Sequence, residues 1–195
     1  MTISRAAGVI ASLSLVIAPP LAAQTVPGAV YTVVVPSGEF GSPAYLQHVL
    51  DGLSAARAFC AGIGDETLNV DCLSERLSQI GTEVPDDTDY VEVRSIINDT
   101  SRKLADLARS NRDSGRSRIS ASQPGSQPGT VIARTARPLV PVSADTVSTV
   151  NAQALAIIEE AQTMLLRSAG SGEQKTQYTR IADALDSNKV LLRSA

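Results

Sequence analysis

The sequence predicts an all-α protein made of a disulfide-linked N-terminal unit of about three helices, a flexible linker and a C-terminal antiparallel helical hairpin. Three observations predict it. Apolar residues recur at three- and four-residue steps in five separate stretches, the spacing that lines one face of a helix. Large aromatics are scarce, with no Trp, two Phe and four Tyr. Such an interior is better zipped from Leu, Ile, Val and Ala between helices than built around a deep ligand pocket. Two cysteines, Cys60 and Cys72, bracket a stretch without helical period, and a bridge between them requires the chain to reverse there.

Residues 1–23 read as a secretory signal peptide. Arg5 supplies the positive start, Ala6 to Ala18 supply an apolar run of 13 residues, and Pro19-Pro20-Leu21-Ala22-Ala23 supplies a cleavage region of mostly small residues. A bilayer-spanning helix needs roughly 20 apolar residues, so the run suits export better than anchoring, and no transmembrane segment is expected after cleavage. The expected location is the periplasm or the exterior of a bacterial cell. Without Arg5 the chain carries 16 basic and 20 acidic side chains, a net charge of −4. That balance argues against a general nucleic-acid binder.

Residues 24–41 form an extended leader around Val30, Tyr31 and Val33 to Val35, β-branched enough for a strand that joins a partner's sheet edge. The rest of the sequence shows no strand to pair with it. The N-terminal helical unit spans residues 42–113. Ser42-Pro43 is a helix start, and Leu46, Val49, Leu50, Leu53, Ala56 and Cys60 make one apolar face. In an oxidising compartment two cysteines read as one disulfide. Eleven intervening residues and the lack of companion histidines disfavour a redox couple or a metal site. Residues 61–68 are expected to be largely turn, with Asn69 or Asp71 capping a second helix that carries Val70, Leu73, Leu77 and Ile80 and stops at Gly81. Asp86, Asp87, Asp89 and Glu92 then complement the dipole of a third helix, striped by Val93, Ile97, Leu104 and Leu107 and reaching about Arg112.

Residues 114–142 are rich in Gly, Ser, Pro and Arg and contain Ser-Gln-Pro-Gly twice, which predicts a flexible linker. Arg109, Arg112, Arg116, Arg118, Arg134 and Arg137 stand against Asp113 alone, a local charge of +5, so the remainder sums to −9. These six arginines are the candidate contacts for an anionic envelope polymer or lipid headgroups. Residues 143–195 form the helical hairpin. Ser143 caps a helix with Val147, Val150, Ala154, Ile158, Ala161 and Leu165 on its seam. Ser171 and Gln174 make a capping box for the next helix, with Tyr178, Ile181, Leu185, Asn188 and Leu192 on its seam. Asn188 is placed to fix register or partner number.

No catalytic, cofactor-binding or metal-ligating constellation is expected. His48 is the only histidine, and no nucleophile elbow, phosphate loop or dinucleotide fingerprint occurs. The acidic group at 86–92 lacks the glycine and the twelfth-position glutamate of a calcium loop, and Asn98-Asp99-Thr100 falls inside a helix. The expectation is therefore a noncatalytic structural or interaction protein that engages an envelope protein or itself through apolar helix faces. The alternatives are a polyanion or membrane-surface module acting through the arginine-rich segment, and an envelope-acting enzyme or enzyme subunit.

Overall fold

In the computed structural model the described residues are 41–84, 89–125 and 130–193. The expected signal peptide and extended leader lie outside them, as do Asp86 and Asp87. Helix α1 (Pro43–Ile63) starts where Ser42 and Pro43 predict, although the Ser42 side chain makes no capping bond. Its expected face is buried, with Leu46, Val49, Leu53, Ala56 and Cys60 each at most 5% exposed and Leu50 half-buried at the margin. Gly64 ends α1 in the left-handed region at φ 69°, a conformation that suits a residue without Cβ.

The reversal at the cysteines differs from the expected long turn. Asp65 is the cap, its carboxylate accepting the Thr67 N–H at 3.1 Å and the Thr67 hydroxyl at 2.6 Å. A single 3₁₀ turn, Glu66–Leu68, then leads into α2 (Asn69–Glu83). Cys60 thus sits about one turn before the end of α1 and Cys72 about one turn into α2, at similar heights on either side of the reversal. The two are disulfide-bonded with Cα atoms 5.8 Å apart. Asn69 and Asp71 are inside the helix and serve other purposes. Asn69 donates to the Leu191 carbonyl at 2.9 Å, and Asp71 is fully buried.

Gly81 does not stop α2. It lies within the helix where α3 (Val91–Ser110) comes close, and a Cβ there would fall 2.2 Å from Asn98 Oδ1. The same close approach lets Ser74 and Ser101 exchange hydrogen bonds, each hydroxyl donating to the other's carbonyl at 2.9 and 2.7 Å. Val93, Ile97 and Leu104 of the expected α3 stripe are buried, joined by Ile96 and Ala108. Thr100, also buried, donates to the Ile96 carbonyl at 2.7 Å, so its hydroxyl is satisfied within the helix.

After a 3₁₀ turn at Ala144–Thr146, α4 (Val147–Ser168) and α5 (Gly172–Asp186) follow, succeeded by a further 3₁₀ turn and the short α6 (Val190–Arg193). The Ser171 hydroxyl accepts the Gln174 N–H at 3.1 Å, and Gln174 Oε1 reaches back to the Gly170 N–H at 2.6 Å. This is the expected capping box, displaced by one residue. Val150, Ala154, Ile158, Ala161, Leu165, Tyr178, Ile181, Leu185 and Leu192 are all buried. Asn188 is buried too, in the 3₁₀ turn; its amide donates to the Ala184 carbonyl at 3.1 Å, while its Oδ1 has no partner.

The apolar side chains of α1–α3 and of α4–α6 belong to one contiguous core. Lys103 of α3 bridges to Glu160 of α4 at 2.9 Å, Tyr178 of α5 donates to the Asp89 carbonyl at 3.3 Å, and Tyr90 donates to Gln177.

The expected linker is the main correction. Residues 112–125 and 130–142 lie back against one another as an irregular antiparallel arm. Its pairings run Arg112 with Val142, Ile119 with Leu139, and β1 (Ser122–Pro124) with β2 (Val131–Arg134), Ser122 lying opposite Arg134. The chain therefore does contain strands. Leu139, Val140 and Val142 are at most 3% exposed and Thr135 is 7% exposed. Composition misleads here because the arm is ordered by backbone pairing and by partners distant in sequence, neither of which needs a hydrophobic run.

Candidate functional site

A cluster of charged side chains lies where the arm meets α2. Thr67, Asp71 and Glu75 are spaced four residues apart and so share one face of the chain's second helical segment. Each accepts a backbone N–H of the arm. The Thr67 carbonyl takes Val142 at 2.9 Å, Asp71 Oδ2 takes Val140 at 2.7 Å, and Glu75 Oε1 takes Ala136 at 2.7 Å. Arg76 returns the favour by donating through Nη2 to the Arg134 carbonyl at 2.7 Å. These outward amides of the arm are thus met by two helix carboxylates and one backbone carbonyl.

Both carboxylates carry a guanidinium as well. Arg137 grips Asp71 with two bonds, at 2.5 and 2.8 Å, and Asp71 is completely buried. These bonds push the Arg137 guanidinium above its already high ordinary pKa, so it stays charged. Arg76 donates to both oxygens of Glu75, at 2.6 and 3.1 Å, and Gln79 adds a third bond at 2.7 Å. The Arg76 guanidinium also lies 4.2 Å from the centre of the Phe59 ring, a cation–π contact from α2 to α1. Every carboxylate oxygen of this pair accepts at least one bond, an arrangement that holds the arm in place.

The six arginines proposed as polyanion contacts divide. Arg137 pairs with Asp71, Arg109 pairs with Asp106 within α3, and Arg116 reaches Asp65 at 2.6 Å and Thr67 Oγ1 at 2.7 Å. Burial alone would raise the Asp65 pKa, but the bonds from Arg116 and Thr67 outweigh it and hold the carboxyl below its ordinary value. Arg112, Arg118 and Arg134 are exposed, and no side-chain partner is found for them among the described residues. Two of the six are therefore matched by acids of the reversal and of α2, and a third by an acid of its own helix.

Beneath the arm, between it and the two linked helices, lies a cleft of about 240 Å³ with Gly52, Ala55, Phe59 and Ile80 on the helical side and Gln123 and Ala133 on the arm. A neighbouring cleft of about 280 Å³ shares Phe59 and Gln123 and adds Ile63, Ile119 and Pro124. Elsewhere, His48 pairs with Glu83 at 2.7 Å on an exposed surface. Asp89 accepts the Gly41 N–H at 2.7 Å, while Glu92 lies near Ser168 of α4. Asn98 packs against Gly81. Among the described residues no group of three or more metal-capable side chains occurs, and no helix is long and apolar enough to cross a membrane.

Comparison with protein-family models, with curated proteins and with solved structures finds no match for this chain.

The clasp on α2 escaped the sequence reading because Asp71 reads there as a candidate helix cap and Glu75 is not singled out. A signal was present. Two acids four residues apart, on a helix otherwise striped by Val70, Leu73 and Leu77, together with a distant segment of charge +5, suggest a pairing between the two.

Proposed function

We propose that this protein is an exported, noncatalytic interaction protein of the bacterial envelope, in which a helical scaffold presents a folded arm and the cleft beside it to a protein partner. On this reading the disulfide-linked α1–α3 group and the α4–α5 hairpin serve as scaffold, and the periplasm or cell exterior is where they work. The observation that carries it is the saturation of Asp71, Glu75, Arg76 and Arg137 by one another and by arm amides. The most elaborate polar arrangement in the described residues is spent on positioning a surface feature.

The partner surface differs from the one the sequence suggested. The apolar helix stripes are consumed inside the chain, so the cleft lined by Ala55, Phe59 and Gln123 replaces them as the place for a partner segment. Its floor is apolar and its rim carries Gln79, Gln123 and Glu83, a mixture that suits a peptide with both side chains and backbone to satisfy. The signal-like N-terminus and the disulfide support the compartment.

The test is a photo-crosslinking residue placed at Ala55, which is exposed at the cleft, and in a second strain at Arg102, which is exposed on α3. A discrete adduct formed in living cells at Ala55 alone supports the reading. Adducts only at Arg102, or recovery of the chain from the cytosol with both thiols free, would remove it.

A further inference from the structure

The arm has two unlike faces. Ile119, Ala121 and Ala133 are half-buried and pack against the helical core. Alternating with them, Arg118, Ser120, Ser122, Pro124, Ile132 and Arg134 are exposed. A two-residue period with one side covered is the pattern of a strand pair lying on a support. The outward face contains no acid. Ile132 is 67% exposed and Val131 beside it 46%, so the arm displays aliphatic surface two residues from Arg134, with Arg118 further along the paired segment; among the described residues no side-chain partner is found for either guanidinium.

We propose that this outward face is a contact surface for an anionic phospholipid membrane, with Arg118 and Arg134 at the headgroup phosphates, the Ser120 and Ser122 hydroxyls beside them, and Ile132 entering the acyl boundary. Charge complementarity carries the choice of partner. The acids that bond to the arm, Asp65, Asp71 and Glu75, are each engaged by Arg116, Arg137 and Arg76, and the arm's own acid, Asp113, is outnumbered by the arginines of the same segment, so little net negative charge opposes approach to phosphates. A dissolved polyanion would use the arginines but gain nothing from Ile132, whereas the membrane interface rewards both. A partner strand would seek the outward backbone groups of β2, yet Arg76 and Glu75 already occupy the Arg134 carbonyl and the Ala136 N–H. Because the arm is already clasped to α2, it binds without the cost of ordering a flexible segment. This inference rests on Arg118, Ile132 and Arg134, none of which lines either cleft, and stands or falls separately from the peptide-binding reading.

The experiment is sedimentation of the whole chain with vesicles of mixed phosphatidylglycerol and phosphatidylcholine, compared with vesicles of phosphatidylcholine alone. A basic residue near an anionic surface changes partitioning by about fivefold. The Arg118→Gln/Arg134→Gln double variant is therefore expected to bind the anionic vesicles about 25-fold less. Ile132→Ser is expected to weaken binding further, and 1 M salt to abolish the preference for anionic vesicles. Residues 1–40 are common to all variants, so differences between them belong to the arm, and circular dichroism checks that each variant is folded. Equal binding to neutral vesicles, an unchanged double variant, or an Ile132→Ser variant without effect while soluble polyphosphate displaces the vesicles would overturn the proposal. The last result would make the arm a polymer site instead.

Discussion

Replacing Asp71 by alanine isolates the contribution of the clasp. Two groups lose their partner. The Val140 N–H is buried, and leaving such a donor unpaired costs about 1–3 kcal/mol. The Arg137 side chain is 39% exposed, so water recovers part of what its bidentate bond supplied, and a discounted figure of about 1 kcal/mol is appropriate. Together these give a destabilisation of about 3 kcal/mol, which for a protein of this size lowers Tm by about 6–12 °C. The assay is urea and thermal unfolding followed by circular dichroism, run as a double-mutant cycle with Arg137→Ala; the expected coupling is about 1 kcal/mol. Limited trypsin digestion supplies a local readout, because an unclasped arm offers the bonds after Arg118 and Arg134 to cleavage while the helices remain folded. A loss of stability below about 0.5 kcal/mol, with arm cleavage no faster than in the wild type, would refute the claim that this buried carboxylate holds the arm.

Other measurements probe separate features. Reducing the Cys60–Cys72 bridge should lower stability by about 3 kcal/mol, the entropy of a loop of this length in the unfolded chain, as read from urea midpoints with and without reductant. Gly41→Ala should cost more than Gly64→Ala. Both glycines have φ near 69°, but a Cβ at Gly41 would fall 2.8 Å from the buried Tyr90 ring, whereas none lies within 4 Å of Gly64; thermal unfolding ranks the two. The carboxyls of Asp65, Asp99 and Asp186 are held low by Arg116, Lys103 and Lys189 respectively. Their stabilising effect should be present above the ordinary carboxylate range and fade as pH falls through the depressed folded values, seen as a drop in urea midpoint below about pH 4. Burial, reinforced by Tyr178 and Asp89, pushes the Tyr90 phenol up to about 12. Its ultraviolet tyrosinate signal should therefore appear near that pH, with the attendant stability present below the ordinary value of about 10 and lost as pH rises through the folded one.

What the sequence revealed follows from the range of the interactions involved. The stripes of α1, α3, α4 and α5 are local patterns, and a helix with one apolar face has few alternatives to burying it. The disulfide required only a count of two and a compartment. Where contacts are distant, the reading fell short. Gly81 looks like a stop until Asn98 of another helix explains why a small residue is needed there. The arm looked disordered because its few apolar residues, among them Leu139, Val140 and Val142, repay ordering only once α2 supplies acceptors for the neighbouring amides. The candidate contact face was partly legible, since the arginines were singled out. That Arg116 and Arg137 are neutralised by the distant Asp65 and Asp71 depends on how the arm packs, and that Ile132 projects on the same side as Arg134 depends on strand alternation in a segment read as having none.

The way α2 meets the arm has a consequence for behaviour at high concentration. A strand margin with idle donors and acceptors is a template on which other chains can add, and it is a common origin of fibrous aggregates. Here the stretch from Arg134 to Val142 is sealed by Arg76, Glu75, Asp71 and Thr67. Sheet growth along this stretch is opposed by the α2 side chains and the Thr67 carbonyl, and Pro138 and Pro141 within it have no N–H to offer an added strand.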